Sequence, residues 1–290
     1  MLRLALPKGS LEEQTLQLFK TADLEVKREF RGYNPVIDDP RIEQVKILRP
    51  QEIPKYIEEG YFDLGIGGED WVLESEADVH LVTSLPYSKV STSPVKMVLA
   101  VFEESGVDSP EKIPPNSRVS TEFPNLTRKY FERLGIPVKV FYSYGATEAK
   151  IPELMDVVVD LTETGQTLRK NRLKIIGTIL ESTTQLIANK DSWNNPEKRK
   201  AIEELKTLLL GVIEARGRVL LSMNIPKEKL DDLMDALPAM KKPTISPLYH
   251  TDYYAVETVV DKAKVNILIP ELKKRGAEDI IELNISKVVR

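Results

Sequence analysis

The chain has no cysteine and only two histidines in 290 residues. Disulfides, thiolate nucleophiles and sulfur-ligated zinc are therefore excluded. His80 and His250 are too few and too far apart in sequence to suggest a histidine metal site, and each reads as a packing or surface residue. Nor does one charge dominate: 41 Lys and Arg stand against 45 Asp and Glu, a net of −4. That balance leaves no electrostatic footprint for nucleic acid or for an anionic membrane. No apolar run approaches the roughly 18 residues needed to span a bilayer. The opening MLRLALPKGS is interrupted by Pro7 and Lys8 too soon for a signal peptide, so a cytoplasmic location is expected.

What is present is organised around Asp156 to Asn171, DVVVDLTETGQTLRKN. Val157, Val158 and Val159 suit a strand buried on both faces of a parallel sheet. Asp160 ends the apolar part. Thr162, Thr164 and Thr167 then surround Gly165, and a helix-forming run with late basic residues follows. Strand, hydroxyl-rich turn and helix in that order bring backbone N–H groups and the positive end of a helix dipole to one point, where a phosphate can be held. Gly165 permits close approach. The same pattern also serves as an ordinary strand-to-helix connection with threonine as N-cap.

Strands and helices alternate from the start. Leu2–Leu6 reads as a strand, and Ser10 with Glu13 forms a capping box, which puts Lys8 and Gly9 at a helix N-terminus. Val45–Leu48 is a second strand ending at Arg49. Asp63–Ile66 is a third, with Gly67, Gly68, Glu69 and Asp70 opening the next helix. This alternation predicts an α/β fold with a parallel sheet whose ligand lies at the carboxyl ends of the strands, where Lys8, Arg49, Gly67 and the threonine turn would all sit. Further on, Val95–Val101, Arg118–Thr121 and Val138–Phe141 read as strands. Pro124–Leu134 is a helix stopped by Gly135, and Gly145–Lys150 is a helical turn carrying Glu148.

Ile175–Glu181 and Thr183–Ala188 read as strands leading back to the first lobe. The expectation is lobe I at 1–90 with a return segment at about 180–212, lobe II at 91–179, and a cleft between them. A long helix, Pro196–Ala215, follows. The order then becomes strand, helix, strand, strand, helix, strand between Val219 and Ile285, a βαββαβ ferredoxin-like domain at 217–290.

Several motifs resemble one family. LPKGSL (6–11), LRPQEIPKYIEEGYFDLGIGGEDW (48–71), FPNLTRKYF (123–131) and VDLTETGQTLRKN (159–171) look like ATP phosphoribosyltransferase. The tail segments LPAMKKPTISPL (237–248) and KKRGAEDI (273–280) look like its long form. The acid followed by TxTGxT is similar to the phosphoribosyl-diphosphate (PRPP) loop of phosphoribosyltransferases. The resemblance implies a two-lobed, periplasmic-binding-protein-like catalytic region and a C-terminal ACT-like regulatory domain. It also implies joining of PRPP and ATP with Mg²⁺, feedback inhibition by histidine, and homo-oligomers in which dimers build hexamers.

By the same resemblance, Thr162, Glu163, Thr164, Gly165, Gln166 and Thr167 form the PRPP loop, with Asp160 and Asp156 facing the ribose hydroxyls or magnesium. Lys8 and Arg49 join Asp160 as catalytic residues, and Gly67, Asp70 and Glu148 line the cleft. Asn224 and Thr244, with Met240 and Ala277, match positions near bound histidine. SYGATEAKIPELMD departs from the family's SGSVE-type segment around Glu148, and Met240 stands where leucine is usual. The alternative is a non-catalytic two-lobed sensor carrying an ACT-like module. It accounts for the fold but gives no reason for TETGQT after an acidic strand end.

Overall fold

Leu2, Leu4, Ala5 and Leu6 are all buried, as befits a strand covered on both faces by helices rather than one with a wet side. The structure, a computed structural model, describes residues 1–28, 34–87, 94–237 and 242–290. Two units divide the chain, Met1–Lys206 and Thr207–Arg290.

The first unit opens with β1 (Leu2–Pro7), α1 (Glu12–Thr21), the small antiparallel pair β2 (Val26–Lys27) and β3 (Val36–Ile37), and β4 (Ile42–Leu48). Then come α2 (Ile53–Glu58), β5 (Leu64–Gly68), α3 (Glu69–Ser75) and β6 (His80–Ser84). The second lobe holds β7 (Val95–Phe102), β8 (Arg118–Thr121), α4 (Pro124–Leu134), β9 (Lys139–Tyr142), β10 (Val157–Thr162), α5 (Gln166–Lys170) and β11 (Leu173–Ser182). β12 (Thr184–Ala188), α6 (Lys190–Asn194) and α7 (Pro196–Ala215) complete the series.

One sheet has the order β4-β1-β5-β12-β6 and the other β11-β7-β10-β8-β9. Both are mixed, which corrects the expectation of parallel sheets. β12 runs antiparallel to β5 and β6, and β7 runs antiparallel to β10 and β11. The reason is the path of the chain: β7 and β12 are the first strands after each crossing between the sheets, and each enters from the end opposite to its neighbours. β11 stays in the second sheet to Ser182, and β12, from Thr184, is back in the first.

The apolar run of β10 fills two cores. Val157 and Val159 pack with Met97, Leu99, Val119 and Phe131 on one face, and Val158 packs with Ala100, Ile151 and Leu168 on the other. At the amino end of β5, Asp63 is 1% exposed. Its carboxylate accepts hydrogen bonds from the Arg3 backbone N–H, the Ser192 hydroxyl and the Lys198 ammonium, each at 2.7 Å, and so ties β1, α6 and α7 to β5. The expected capping box is absent. Ser10 makes no cap; the N-cap position is Leu11, and the Gly9 N–H donates to Glu12 Oε2 at 3.3 Å.

The second unit has β13 (Arg218–Pro226), α8 (Leu230–Ala236), β14 (Thr244–Pro247), β15 (Tyr253–Asp261), α9 (Val265–Lys274) and β16 (Glu278–Asn284). Its sheet order, β14-β15-β13-β16, is antiparallel throughout. This is the ferredoxin-like βαββαβ arrangement. Val219, Leu221, Met223 and Ile225 alternate inward to meet Leu233, Leu268 and Leu272 from the helices. The division between units falls inside α7, after Lys206. Among the described residues, no helix is long and apolar enough to cross a membrane.

Candidate active site

β10 carries its chain three residues beyond the last valine, so Thr162 is still strand and the turn is Glu163, Thr164 and Gly165. The turn is held by its own hydroxyls. Gly165 N–H donates to Thr162 Oγ1 at 2.7 Å, and Gln166 N–H donates to Thr164 Oγ1 at 3.4 Å. Arg169 reaches back to the Thr164 carbonyl at 2.7 Å. Gly165 is left-handed, φ 68°, and a Cβ there would come within 3.1 Å of Arg169 Nη1 and 3.2 Å of Ile175 Cδ1. The left-handed backbone favours glycine, and a side chain there would have to displace the Arg169 and Ile175 tips slightly.

Beside this turn lies a cavity of about 410 Å³. The turn supplies Thr162, Glu163, Thr164, Gln166 and Thr167; the first lobe supplies Ser10, Leu11, Pro50, Gly68, Asp70 and Trp71; the crossings supply Val95, Ser182, Thr183 and Thr184. Hollows of about 580 and 690 Å³ lie elsewhere in the unit, against β4 and beside α4. Neither is lined by the turn, and the chemistry that the turn offers singles out the smaller cavity.

The first-lobe wall begins where β5 gives way to α3. Asp70, 3% exposed, accepts a hydrogen bond from Ser182 Oγ at 2.8 Å, while its own N–H donates to that oxygen at 3.1 Å. Burial pushes its carboxyl up. A Cβ on Gly68 would lie 1.9 Å from Asp70 Oδ1, so Gly68 is what lets Asp70 fold back. Gly67 is one residue behind the lining, within β5. Lys8 and Arg49 follow the paired ends of β1 and β4, and both are exposed. Their neighbours Ser10 and Pro50 line the cavity.

Asp160 lies under the turn with little to satisfy it. Burial pushes its carboxyl up to about 6, the charges of Glu148 and Glu122 add to the rise, and the Leu161 N–H at 2.7 Å opposes it. Glu122 is a residue that sequence reasoning missed. Thr121 pairs with Val159, so Glu122 follows the end of β8 on the strand beside Asp160, and burial raises its carboxyl too. Only knowledge that β8 neighbours β10 could have found it. Lys150 stands close by and donates to Ser143 Oγ at 2.5 Å.

Asp156 does not belong to this group. It precedes β10 at the far end from the turn, and Arg118 donates to it from the backbone at 2.8 Å and from the guanidinium at 2.7 Å. The Arg118 hydrogen bond holds its carboxyl below the usual range. Its place is a surface ion pair, and the assignment to ribose or magnesium is corrected accordingly.

The four residues expected near histidine are not gathered either. Asn224 lies on the face of β13 away from the helices and donates to Asp279 Oδ2 at 2.9 Å. Ala277 is in the core between sheet and helices. Thr244 pairs with Glu257, whose partner on β13 is Ser222, so it is two strands across and two residues along from Asn224, roughly 12 Å. Met240 lies outside the described residues.

Comparison with known proteins agrees with this layout. A family model described as ATP phosphoribosyltransferase matches residues 49–211, and one described as HisG, C-terminal domain, matches 215–287. The ATP phosphoribosyltransferase of Pelotomaculum thermopropionicum is 48% identical over 288 residues, 99% of either chain. That of Chlorobaculum parvum is 47% identical over 289 residues, 100% of this chain and 98% of the other. Among solved structures, a chain of the ATP phosphoribosyl transferase (HisG:HisZ) complex from Thermotoga maritima superposes with a TM-score of 0.63 at 32% identity, covering 74% of this chain and 99% of that one.

Proposed function

The chain belongs to the ATP phosphoribosyltransferase family, and from that premise we propose that it transfers the phosphoribosyl group of PRPP to N1 of ATP, giving phosphoribosyl-ATP and pyrophosphate, the first step of histidine biosynthesis. Membership of a transferase family sets aside the non-catalytic sensor. The observation that carries the proposal is the convergence, on one cavity, of the threonine turn and the first-lobe wall, with Asp160 beneath the turn.

In this reading the amides and hydroxyls of Thr162 to Thr167 hold the 5-phosphate. Ionised Asp160 accepts hydrogen bonds from the ribose hydroxyls and stabilises the positive charge that grows on the sugar as pyrophosphate leaves. Lys8 and Arg49, solvated at the rim, neutralise the departing diphosphate. The protein otherwise positions two polyanions in line, the larger part of such catalysis. Among the described residues no group of three or more acidic, histidine or cysteine side chains forms a metal cage. Mg²⁺, when bound, would neutralise charge on the polyphosphates, and Asp160 with the cavity-lining Glu163 are the carboxylates at the turn that would hold it.

The second unit would take histidine as feedback inhibitor, and the enzyme would act in the cytoplasm as a homo-oligomer of dimers up to hexamers. The test is direct: with ATP, PRPP and Mg²⁺, the rise in ultraviolet absorbance of phosphoribosyl-ATP and release of pyrophosphate should appear together. Neither signal with ATP, but product with another base, would replace the acceptor. No product with any base would end the proposal.

A further inference from the structure

We propose that Glu74 is a positioning residue for this reaction: from the first lobe it caps a helix of the second, and so fixes the spacing of the two walls of the cavity. The inference rests on the function proposed above. It starts from an incomplete helix. α4 has Phe123 at its N-cap position with no side-chain cap, and Pro124 brings no N–H. The next two amides need acceptors.

Glu74 provides both. Asn125 N–H donates to Glu74 Oε1 and Leu126 N–H to Oε2, each at 2.9 Å, while Asn125 Nδ2 donates to the Glu74 carbonyl at 3.0 Å. A carboxylate at the positive end of a helix is favoured by the dipole as well as by the hydrogen bonds. Glu74 is 6% exposed. The same helix, α3, sends Trp71 against the core of the second sheet, with its ring 4.3 Å from that of Phe123.

An ordinary cap lies next to its helix in sequence. This one comes from about fifty residues earlier and from the other lobe, so it forms only when the lobes are aligned. Asp70, in the first turn of α3, is a wall of the cavity, and Glu74 is one helical turn further along the same face. α4 follows β8, which pairs with β10, the strand that ends in the threonine turn. One turn of helix thus connects the first-lobe wall to the frame of the phosphate loop.

The absence of cysteine makes the test clean, because cysteines placed at exposed Lys20 and Glu132, on α1 and α4, would take spin labels without competition. Glu74→Ala should broaden the inter-lobe distance distribution and lower kcat about tenfold, a modest misplacement effect. Ribose 5-phosphate, which needs only the threonine turn, should bind with a Kd within about twofold of the parent's. Glu74→Gln keeps one acceptor oxygen and should fall between the two, which keeps the test decisive if the alanine variant folds poorly.

An unchanged distance distribution with kcat within about twofold would overturn the proposal. So would loss of ribose 5-phosphate binding in step with kcat, since that marks general damage to the second lobe. Failure of ribose 5-phosphate to bind even the parent would count against the loop assignment and leave the label distances to judge Glu74.

Discussion

Asp63, just before β5, and Asp160, within β10, are the same residue type on two buried strands, yet their surroundings differ in kind. At Asp63 burial alone would raise the carboxyl, but Lys198, Ser192 and Arg3 outweigh it and the net direction is down. At Asp160 burial wins, Glu148 and Glu122 reinforce it, and the only donor among the described residues is one amide. The first arrangement is finished within the protein. The second is incomplete and gains its partners only when a ligand brings hydroxyls or cations. A carboxylate that folding leaves under-satisfied beside a cavity is a better pointer to chemistry than burial or charge alone.

The sharpest way to break the comparison is to remove each acid. Asp63→Leu leaves Lys198 and Arg3 facing a half-formed network and should lower stability by about 3 kcal/mol or more, read by urea denaturation, with little loss of kcat per folded molecule. Asp160→Asn should do the reverse. Its kcat should fall about 100-fold, with the KM for PRPP rising more than that for ATP, while the fold is unharmed. Equal effects on both substrates would count against the sugar as its target.

The pH dependence carries opposite signs. Asp160 has a folded-state pKa above its unfolded one, so the folded protein binds the extra proton between about pH 4 and 6 and stability falls as pH rises through that window. Above pH 6 the penalty is complete, and Asp160→Asn should then be more stable than the parent by about 1–3 kcal/mol, with no difference near pH 3. Asp63 contributes in the other direction, with stability present at neutral pH and lost below its ordinary pKa. Thermal melts of the parent and Asp160→Asn across this range check both signs.

A smaller effect is expected at Gly165→Ala, about 1–2 kcal/mol of strain from φ 68° and the contacts with Arg169 and Ile175, with a raised KM for PRPP. The smallest belongs to Asp156→Asn. Its pair with Arg118 is 42% exposed on both sides, so less than about 1 kcal/mol and no change in kcat should follow. A large loss of activity there would return Asp156 to the site.

Much of this was legible in the chain. Pro124 and Gly135 mark the ends of α4, with Gly135 left-handed at φ 69°, and α7 runs from Pro196 to Ala215 as its stripe of Ile202, Leu205, Leu209 and Val212 indicates. Those signals are local: a fixed φ, a missing N–H, a repeat of apolar residues. What escaped depends on contacts far apart in sequence. Asp156 and Asp160 look alike in DVVVD until Arg118, 38 residues away, is seen to take the first. Glu122 joins Asp160 only through sheet order, and the antiparallel runs of β7 and β12 follow from where the chain re-enters each sheet. Ala277, in the link from α9 to β16, is buried in the core, whereas the pleat of β13 turns Asn224 to the opposite face of the sheet.

The position of β12 also bears on how the molecule assembles. That strand, Thr184–Ala188, lies between β5 and β6 in the interior of the first sheet. During synthesis the amino-terminal strands must therefore wait, with the β5 edge unpaired, until more than a hundred further residues have emerged. A ribosome-bound fragment ending before residue 184 would carry a split sheet and a natural target for chaperones, and a polypeptide comprising only the first ninety residues would lack the piece that closes it.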